Sequence, residues 1–264
     1  VLMRLKDDIV TLMLACCGVP AQWAGNWALT QAIVARLRDD WQRLGKPIAV
    51  ILCATCRKTL KYFLPELECL SLYEFIDALG LPESAERLDG QYAVFDPCAS
   101  RDFPGMQMAV RSLAKKLGAS LLELPDAGPY ARCCGNGGHI YPANQEVALN
   151  AINRAVCLFG LPYLAYCANC RNMFLAVGKD CQHILDKVWG LEPLEKACHL
   201  QDLRSNRHTL AAELRKEVWG EETVVQTGRE LRVVIPEDVL DKMDRMLITA
   251  EDVYEVLERA ARTG

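Results

Sequence analysis

The sequence lacks any concentration of positive charge. Thirty Lys and Arg stand against 34 Asp and Glu, the formal net charge is −4, and no basic block stands out along the 264 residues. Nucleic acid is therefore not an expected partner, because such proteins need a basic footprint. No apolar run approaches the roughly 18 residues that span a bilayer, so no transmembrane segment is expected. The opening VLMRLKDDIV has no signal-peptide pattern. It also lacks an initiator methionine and reads like the middle of a helix, which points to a piece of a longer chain. No Gly-x-Gly-x-x-Gly fingerprint follows a strand and no P-loop is present. Flavin, nicotinamide or nucleotide chemistry would have to come from a partner subunit or an upstream domain.

What the sequence has in excess is cysteine, 13 in all. Disulfide scaffolds are usually short, secreted and poor in apolar core. This chain is long, 51% hydrophobic, and carries no secretion signal. Nine of its cysteines fall into local motifs, which favours a cytoplasmic metal or cluster protein.

Those nine reveal a repeat. Cys16-Cys17-Gly18 is followed by Cys53-Ala54-Thr55-Cys56, and Cys133-Cys134-Gly135 by Cys167-Ala168-Asn169-Cys170. Cys133 stands 117 positions after Cys16, and Cys167 stands 114 after Cys53. Arginine follows each Cys-x-x-Cys pair, at Arg57 and Arg171, and an apolar run opened by proline precedes each, at Pro47 and Pro162. An internal repeat of about 115 residues follows. Cys98 belongs to the second copy alone, because its counterpart in the first would fall before residue 1.

The apolar runs PIAVIL, LPYLAY and QYAVFD (91–96) read as short buried strands. Helical patterns lie between them at 28–45, 105–118 and 144–160, with Gly45, Gly118 and Gly160 at C-cap positions. The alternation predicts an α/β fold: two pseudo-repeated βαβ modules with small parallel sheets, plus a small, mostly helical C-terminal element. The predicted boundaries are 1–90 for the first module, 91–190 for the second and 191–264 for a helical docking element. In that last part 184–219 reads as helical, ELRVVIP (230–236) as a strand, and two short helices follow, the second with Thr249 as N-cap and Asp252 three residues on. Cys53, Cys98 and Cys167 each follow a strand-like run, and sites in parallel sheets collect at the carboxyl ends of strands.

Soft thiolates select iron–sulfur clusters, zinc or cuprous copper. A Cys-x-x-Cys turn lets two thiolates grip one centre, whereas adjacent cysteines diverge and reach different atoms of a larger cluster. The glycine after each Cys-Cys pair is read as permitting positive φ or close backbone approach. Asn136-Gly137-Gly138 is read as aiming backbone N–H groups at sulfur. Four thiolates at the first set would also suit tetrahedral zinc.

At these residues the chain resembles the Cys-Cys-Gly domain family, to which heterodisulfide reductase contributes its best-known member. The second copy matches the family pattern in full through Cys98, Cys133, Cys134, Gly135, Cys167 and Cys170; the first matches from Cys16 onward. The resemblance implies that the five cysteines of the second copy hold a noncubane [4Fe-4S] cluster that can bind and reductively split a disulfide. It implies a second cluster or zinc at Cys16, Cys17, Cys53 and Cys56. It implies as partners a flavoprotein or ferredoxin-type iron–sulfur subunit as electron donor and a small disulfide or thiol as substrate.

His139 is the candidate proton donor to a leaving thiolate, set against a loop histidine with a structural hydrogen bond. His183 and His199 are read as structural, and Cys69, Cys157, Cys181 and Cys198 as core thiols. Arg57 and Arg171 either balance cluster charge or pair with a carboxylate. Trp23 and Trp27 are expected in core or interface, and Asp96 as a turn former. Three functions stay open: a disulfide-reducing subunit, a non-catalytic electron relay of a flavin dehydrogenase (2-hydroxy acid or quinone-linked), and a zinc-stabilised interaction module. A pocket beside Cys133 and Cys134 would favour the first, and a covered cluster the second.

Overall fold

The computed structural model describes residues 11–156, 160–221, 234–246 and 248–263. It divides into a larger unit, Val1–Ala197, and a smaller one, Cys198–Gly264. The larger unit begins with helices α1 (Val19–Trp23) and α2 (Trp27–Arg43), then strand β1 (Ala49–Ile51), helix α3 (Ala54–Phe63), strand β2 (Cys69–Ser71) and helix α4 (Leu72–Leu79). It continues with β3 (Gly90–Phe95), α5 (Pro104–Lys116), β4 (Ala119–Glu123), α6 (Ile140–Ala143), α7 (Gln145–Val156), β5 (Tyr163–Ala165), α8 (Ala168–Ala176), β6 (Cys181–His183) and α9 (Ile184–Val188). The smaller unit holds α10 (Leu200–Trp219), α11 (Glu237–Met246) and α12 (Ala250–Thr263).

Every strand pair is parallel: β1 with β2 in one small sheet, and the order β4-β3-β5-β6 in the other. The α/β reading therefore holds. Side chains alternate across a strand, and both faces of the larger sheet use that alternation. Tyr92, Val94 and Leu164 point to a core built with Tyr73 and Ile76 of α4 and Val110 and Leu113 of α5. Ala93, Phe95, Tyr163 and Ala165 point to the other core, with Ile152 of α7 and Phe174 of α8. Each fully buried side chain of this size contributes about 1.5–3 kcal/mol. Two covered faces explain why β3 and β5 read as unbroken apolar runs.

The three helices expected between the strands are present, with Gly45 and Gly118 just past their ends at φ 81° and 103°. The end of the third lies outside the described residues, as does Cys157. The expected strand at 230–236 also falls largely outside them, and residues 234–236 are not in a strand. The 184–219 segment is not one helical stretch: α9 ends at Val188, Gly190 turns with φ 61°, and Pro193 lies before α10 begins at Leu200. Cys69 and Cys181, expected as core thiols, sit in strands β2 and β6, Cys181 buried in one apolar core and Cys69 partly buried against another. Before α12, Thr249 and Asp252 form the expected reciprocal cap, with Asp252 N donating to Thr249 Oγ1 at 3.2 Å and Thr249 N donating to Asp252 Oδ2 at 2.7 Å.

Asp96 does more than shape a turn. Its side chain is 0% exposed, and Arg111 donates to both carboxylate oxygens at 3.0 and 2.9 Å. Gly128 N donates to it at 2.7 Å and Tyr166 Oη at 2.6 Å. A buried carboxylate persists only when paired and hydrogen-bonded. This one ties the end of β3, just before Cys98, to the residue that immediately precedes Cys167.

Candidate metal centre

Cys53, Cys98 and Cys167 follow the carboxyl ends of the parallel strands β1, β3 and β5. Cys53 and Cys167 are the N-cap residues of α3 and α8, so Cys56 and Cys170 fall in the first turn of each helix. Cys98 opens a single 3₁₀ turn, Cys98–Ser100, after β3. The Cys-Cys-Gly loops carry the predicted conformation, with φ 85° at Gly18 and 90° at Gly135. The glycine N–H then turns back onto the first thiol of each pair, from Gly18 to Cys16 Sγ at 3.4 Å and from Gly135 to Cys133 Sγ at 3.3 Å.

The second set forms an unbroken chain of thiol contacts. Cys98 meets Cys133, Cys133 meets Cys134, Cys134 meets Cys170, and Cys170 meets Cys167. Hydrogen bonds from the Cys134 and Cys98 thiols draw Cys133 down to about 2, and the backbone N–H groups of Gly135 and Gly137 add to the effect. Contact with Cys133 instead pushes Cys134 up to about 12. In the first set Cys17 and Cys53 both meet Cys56, whose thiol lowers them to about 7 and about 6. Cys16 is exposed, outside that contact chain. The corresponding pairs match, Cys17–Cys56 with Cys134–Cys170 and Cys53–Cys56 with Cys167–Cys170. The Cys170 thiol lowers Cys167, the Cys53 charge lies near enough to oppose it, and the buried Tyr73, raised chiefly by burial, feels both Cys53 and Cys167.

The arginines after the Cys-x-x-Cys pairs choose the carboxylate alternative. Arg57 Nη1 donates to Glu74 at 2.6 Å, and Arg171 Nη1 donates to Asp186 at 2.8 Å. Arg171 Nε is left buried without a partner, one residue past Cys170. Glu74 and Asp186 stand in no motif, although Cys69-Leu-Ser-Leu-Tyr-Glu74 and Cys181-Gln-His-Ile-Leu-Asp186 repeat the same spacing. The two acidic residues support the module repeat and hold each Cys-x-x-Cys helix against the next strand–helix turn.

Five thiols linked pairwise and backbone N–H groups aimed at Cys133 fit an anionic sulfur-rich centre. Among the described residues no three His, Cys, Asp or Glu side chains converge at the spacing of one mononuclear metal ion.

A cavity of about 620 Å³ opens onto this set through Cys98 and Cys133. Its walls include Val19 and Trp23 of α1, Trp27, and Tyr62 and Phe63 of α3. Trp27 is 53% exposed, so the two tryptophans are cavity walls rather than core. Cys134 and Cys170, the middle of the chain, are buried. His139 is half-buried with φ 55°, and its ring meets Trp23 edge-on at 5.6 Å.

His183 is structural, as expected. Leu185 N donates to its Nδ1 at 3.3 Å, and its other ring nitrogen bonds the Tyr166 carbonyl. Burial, helped by the Arg171 charge, lowers it from 6.5 to about 3. The folded state thus holds the neutral ring, and this stability is present above the unfolded value and lost as pH falls through the window below 6.5. Chemical denaturation between neutral pH and about pH 4 is expected to show a loss approaching about 1.4 kcal/mol per pH unit from this group. His183→Gln should flatten that slope; an identical slope in both proteins would remove His183 as its source.

The comparisons with known proteins agree with this arrangement. A segment of the chain is 28% identical over 138 residues to an uncharacterized iron–sulfur protein of Methanococcus maripaludis, covering 50% of this chain and 27% of that protein. Another uncharacterized iron–sulfur protein, from Methanocaldococcus jannaschii, is 27% identical over 135 residues, with the same two shares. The EtfAB:quinone oxidoreductase of Syntrophomonas wolfei is 23% identical over 141 residues, covering 51% of this chain and 20% of that protein. The match thus spans about a quarter of the length of these curated relatives. No helix among the described residues is long and apolar enough to cross a membrane. The family model for the CCG cysteine-rich domain matches residues 5–61 and 92–174, more than half of the sequence and both cysteine sets, so the chain belongs to the CCG cysteine-rich domain family.

Proposed function

We propose that this chain is the iron–sulfur redox subunit of a larger oxidoreductase, and that it reduces a disulfide with electrons from a partner. The iron–sulfur names of the two archaeal relatives support the redox role. The observation that carries the disulfide reading is the cavity ending on Cys98 and Cys133, since an electron relay needs no open room beside its ligands. In this reading Cys98, Cys133, Cys134, Cys167 and Cys170 hold a [4Fe-4S] cluster of the noncubane kind, and Gly135 lets the loop close on it. Cys16, Cys17, Cys53 and Cys56 hold a second cluster or zinc. The two modules, 1–90 and 91–190, carry one site each, and 191–264 is the docking element.

The cluster supplies electrons and a soft surface for sulfur. The balance is one disulfide, two electrons and two protons giving two thiols. The chain's own residues do the rest: the aromatic walls bring the disulfide to Cys98 and Cys133, the Asp96 network fixes the loops that carry Cys98 and Cys167, and His139 gives a proton to a departing thiolate. The donor is a flavoprotein or a ferredoxin-type subunit, and the EtfAB:quinone oxidoreductase relative supports a flavin-linked system. That same relative favours a second reading, in which the chain relays electrons without binding substrate.

The test is anaerobic purification of the full chain with iron, sulfide and zinc analysis and electron paramagnetic resonance. About four iron and four sulfide at the second site, with a spectrum that changes on adding thiol, is the expected result. Zinc without acid-labile sulfide would overturn the redox reading. A cluster whose spectrum no thiol or disulfide alters would leave the relay.

A further inference from the structure

The cavity beside Cys98 and Cys133 carries more than access. Its walls combine aromatic surface with positive charge and no carboxylate. Trp23, Trp27, Tyr62 and Phe63 supply flat apolar faces, and Lys58 and Arg101 supply the charge. From this we propose that the site, resting on the disulfide-reducing function proposed for it, selects disulfides with an aromatic or apolar body and an acidic group.

Three observations support the charge selection. Arg101 is tethered, because its Nε donates to the Ala131 carbonyl at 2.6 Å, and it lines the same cavity as Cys98. Among the described residues Lys58 pairs with Asp102 alone, at 3.9 Å with both side chains more than half exposed, so it keeps most of its attraction for an incoming anion. Two further carboxylates, Glu74 and Asp96, are already held by Arg57 and Arg111. The apolar selection follows from size and surface. About 620 Å³ is the room of a drug-sized ligand, far more than a small aliphatic disulfide fills. Flat rings bury most against aromatic walls, and Tyr62 and Phe63 already meet edge-to-face at 4.8 Å.

The site would therefore rank disulfides by body and charge together. One acid group meets Arg101 or Lys58 near the thiols, and the ring lies against the tryptophans. A cationic disulfide meets two like charges and a wall it does not fill.

The experiment uses the anaerobically purified holoprotein with reduced viologen as electron donor, and counts turnover only above the protein-free and donor-free rates. The panel is dithiobis(nitrobenzoate), neutral dithiodipyridine, aliphatic dithiodipropionate and cationic cystamine. The expected order places dithiobis(nitrobenzoate) first, with kcat/KM at least about tenfold above dithiodipyridine and dithiodipropionate, and cystamine last. Lys58→Met with Arg101→Met is expected to lower its kcat/KM by about tenfold or more and to remove its lead over dithiodipyridine. Iron content and the resonance spectrum of the variant, measured alongside, separate lost selection from a damaged cluster. Equal rates across the panel, or a lead that survives both substitutions in a variant with full iron, would overturn the selectivity and leave disulfide reduction standing. No turnover of any disulfide by a protein with full iron would overturn the disulfide reading itself.

Discussion

Cys133→Ser should empty the second site of iron while Cys181→Ala leaves it full. Cys133 lies inside the thiol chain, touching Cys98 on one side and Cys134 on the other, and it accepts the Gly135 N–H at 3.3 Å. It is the thiol most strongly held as thiolate, and thiolates are the form that binds iron. Serine keeps the volume but offers a hard alkoxide-forming oxygen with a far higher pKa. The expected loss is about four iron and four sulfide per chain, read by anaerobic metal analysis, with the first site unchanged. Cys181 is the control, because it is equally a cysteine of the second module and only 1% exposed. It lies on β6 inside the apolar core with Phe174 and Tyr163, outside the contact chain. Its replacement by alanine should cost about 1 kcal/mol of stability and no iron. A Cys133→Ser protein with undiminished iron and sulfide would show that this set does not ligate.

Much of this arrangement is legible in the sequence, and the limits have physical causes. The strands β1, β3 and β5 are legible because burial on both faces, or behind a proline, writes them as apolar runs. The nine motif cysteines are legible because their spacing recurs, and spacing survives where side-chain periodicity does not. Strands β2 and β6 are three residues each, too short for alternation to register, and their polar members hid them. Strand β4 at Ala119–Glu123 starts directly after the Gly118 cap and ends in the glutamate that pairs with Arg111, so no unbroken apolar run marks it. Asp96 is another matter. Its partners Arg111, Gly128 and Tyr166 come from three separate stretches, and no local pattern announces a buried carboxylate fixed by long-range contacts. The cavity likewise brings α1 and α3 beside Cys98 and Cys133 from separate stretches of the sequence, so its existence depends on long-range packing. The repeat itself held an unread signal. Extending it from the Cys-x-x-Cys pairs to Cys69 and Cys181 would have found both short strands and both arginine partners.

The same repeat makes two glycines look equivalent when their surroundings are not, and Gly135→Ala should cost much more than Gly18→Ala. Both glycines follow a Cys-Cys pair with φ near 90°, a conformation that costs other residues about 1–2 kcal/mol. That share is common to both sites. At Gly18 an added methyl group meets the Ile33 side chain at 3.4 Å, and a side chain can give by a few tenths of an ångström. At Gly135 the methyl would stand 2.5 Å from the carbonyl oxygen of Ala148. That oxygen is backbone in the first turn of α7, a helix whose Ala148 and Ile152 are fully buried, so it yields only if the helix moves. Gly18→Ala should therefore lose about 1–2 kcal/mol. Gly135→Ala should lose about 3 kcal/mol or more, because overpacking adds a further 1–3 kcal/mol. The larger loss should also reach the metal centre, since displacing the loop pulls the Gly135 N–H from Cys133 and lengthens the Cys133–Cys134 approach to Cys170. Anaerobic chemical denaturation of both variants, with iron analysis of each, reads the two effects together. Equal losses in the two variants would mean that the α7 backbone gives way freely. A destabilised Gly135→Ala protein with full iron would mean that the loop holds its thiols in place without the close packing beneath it.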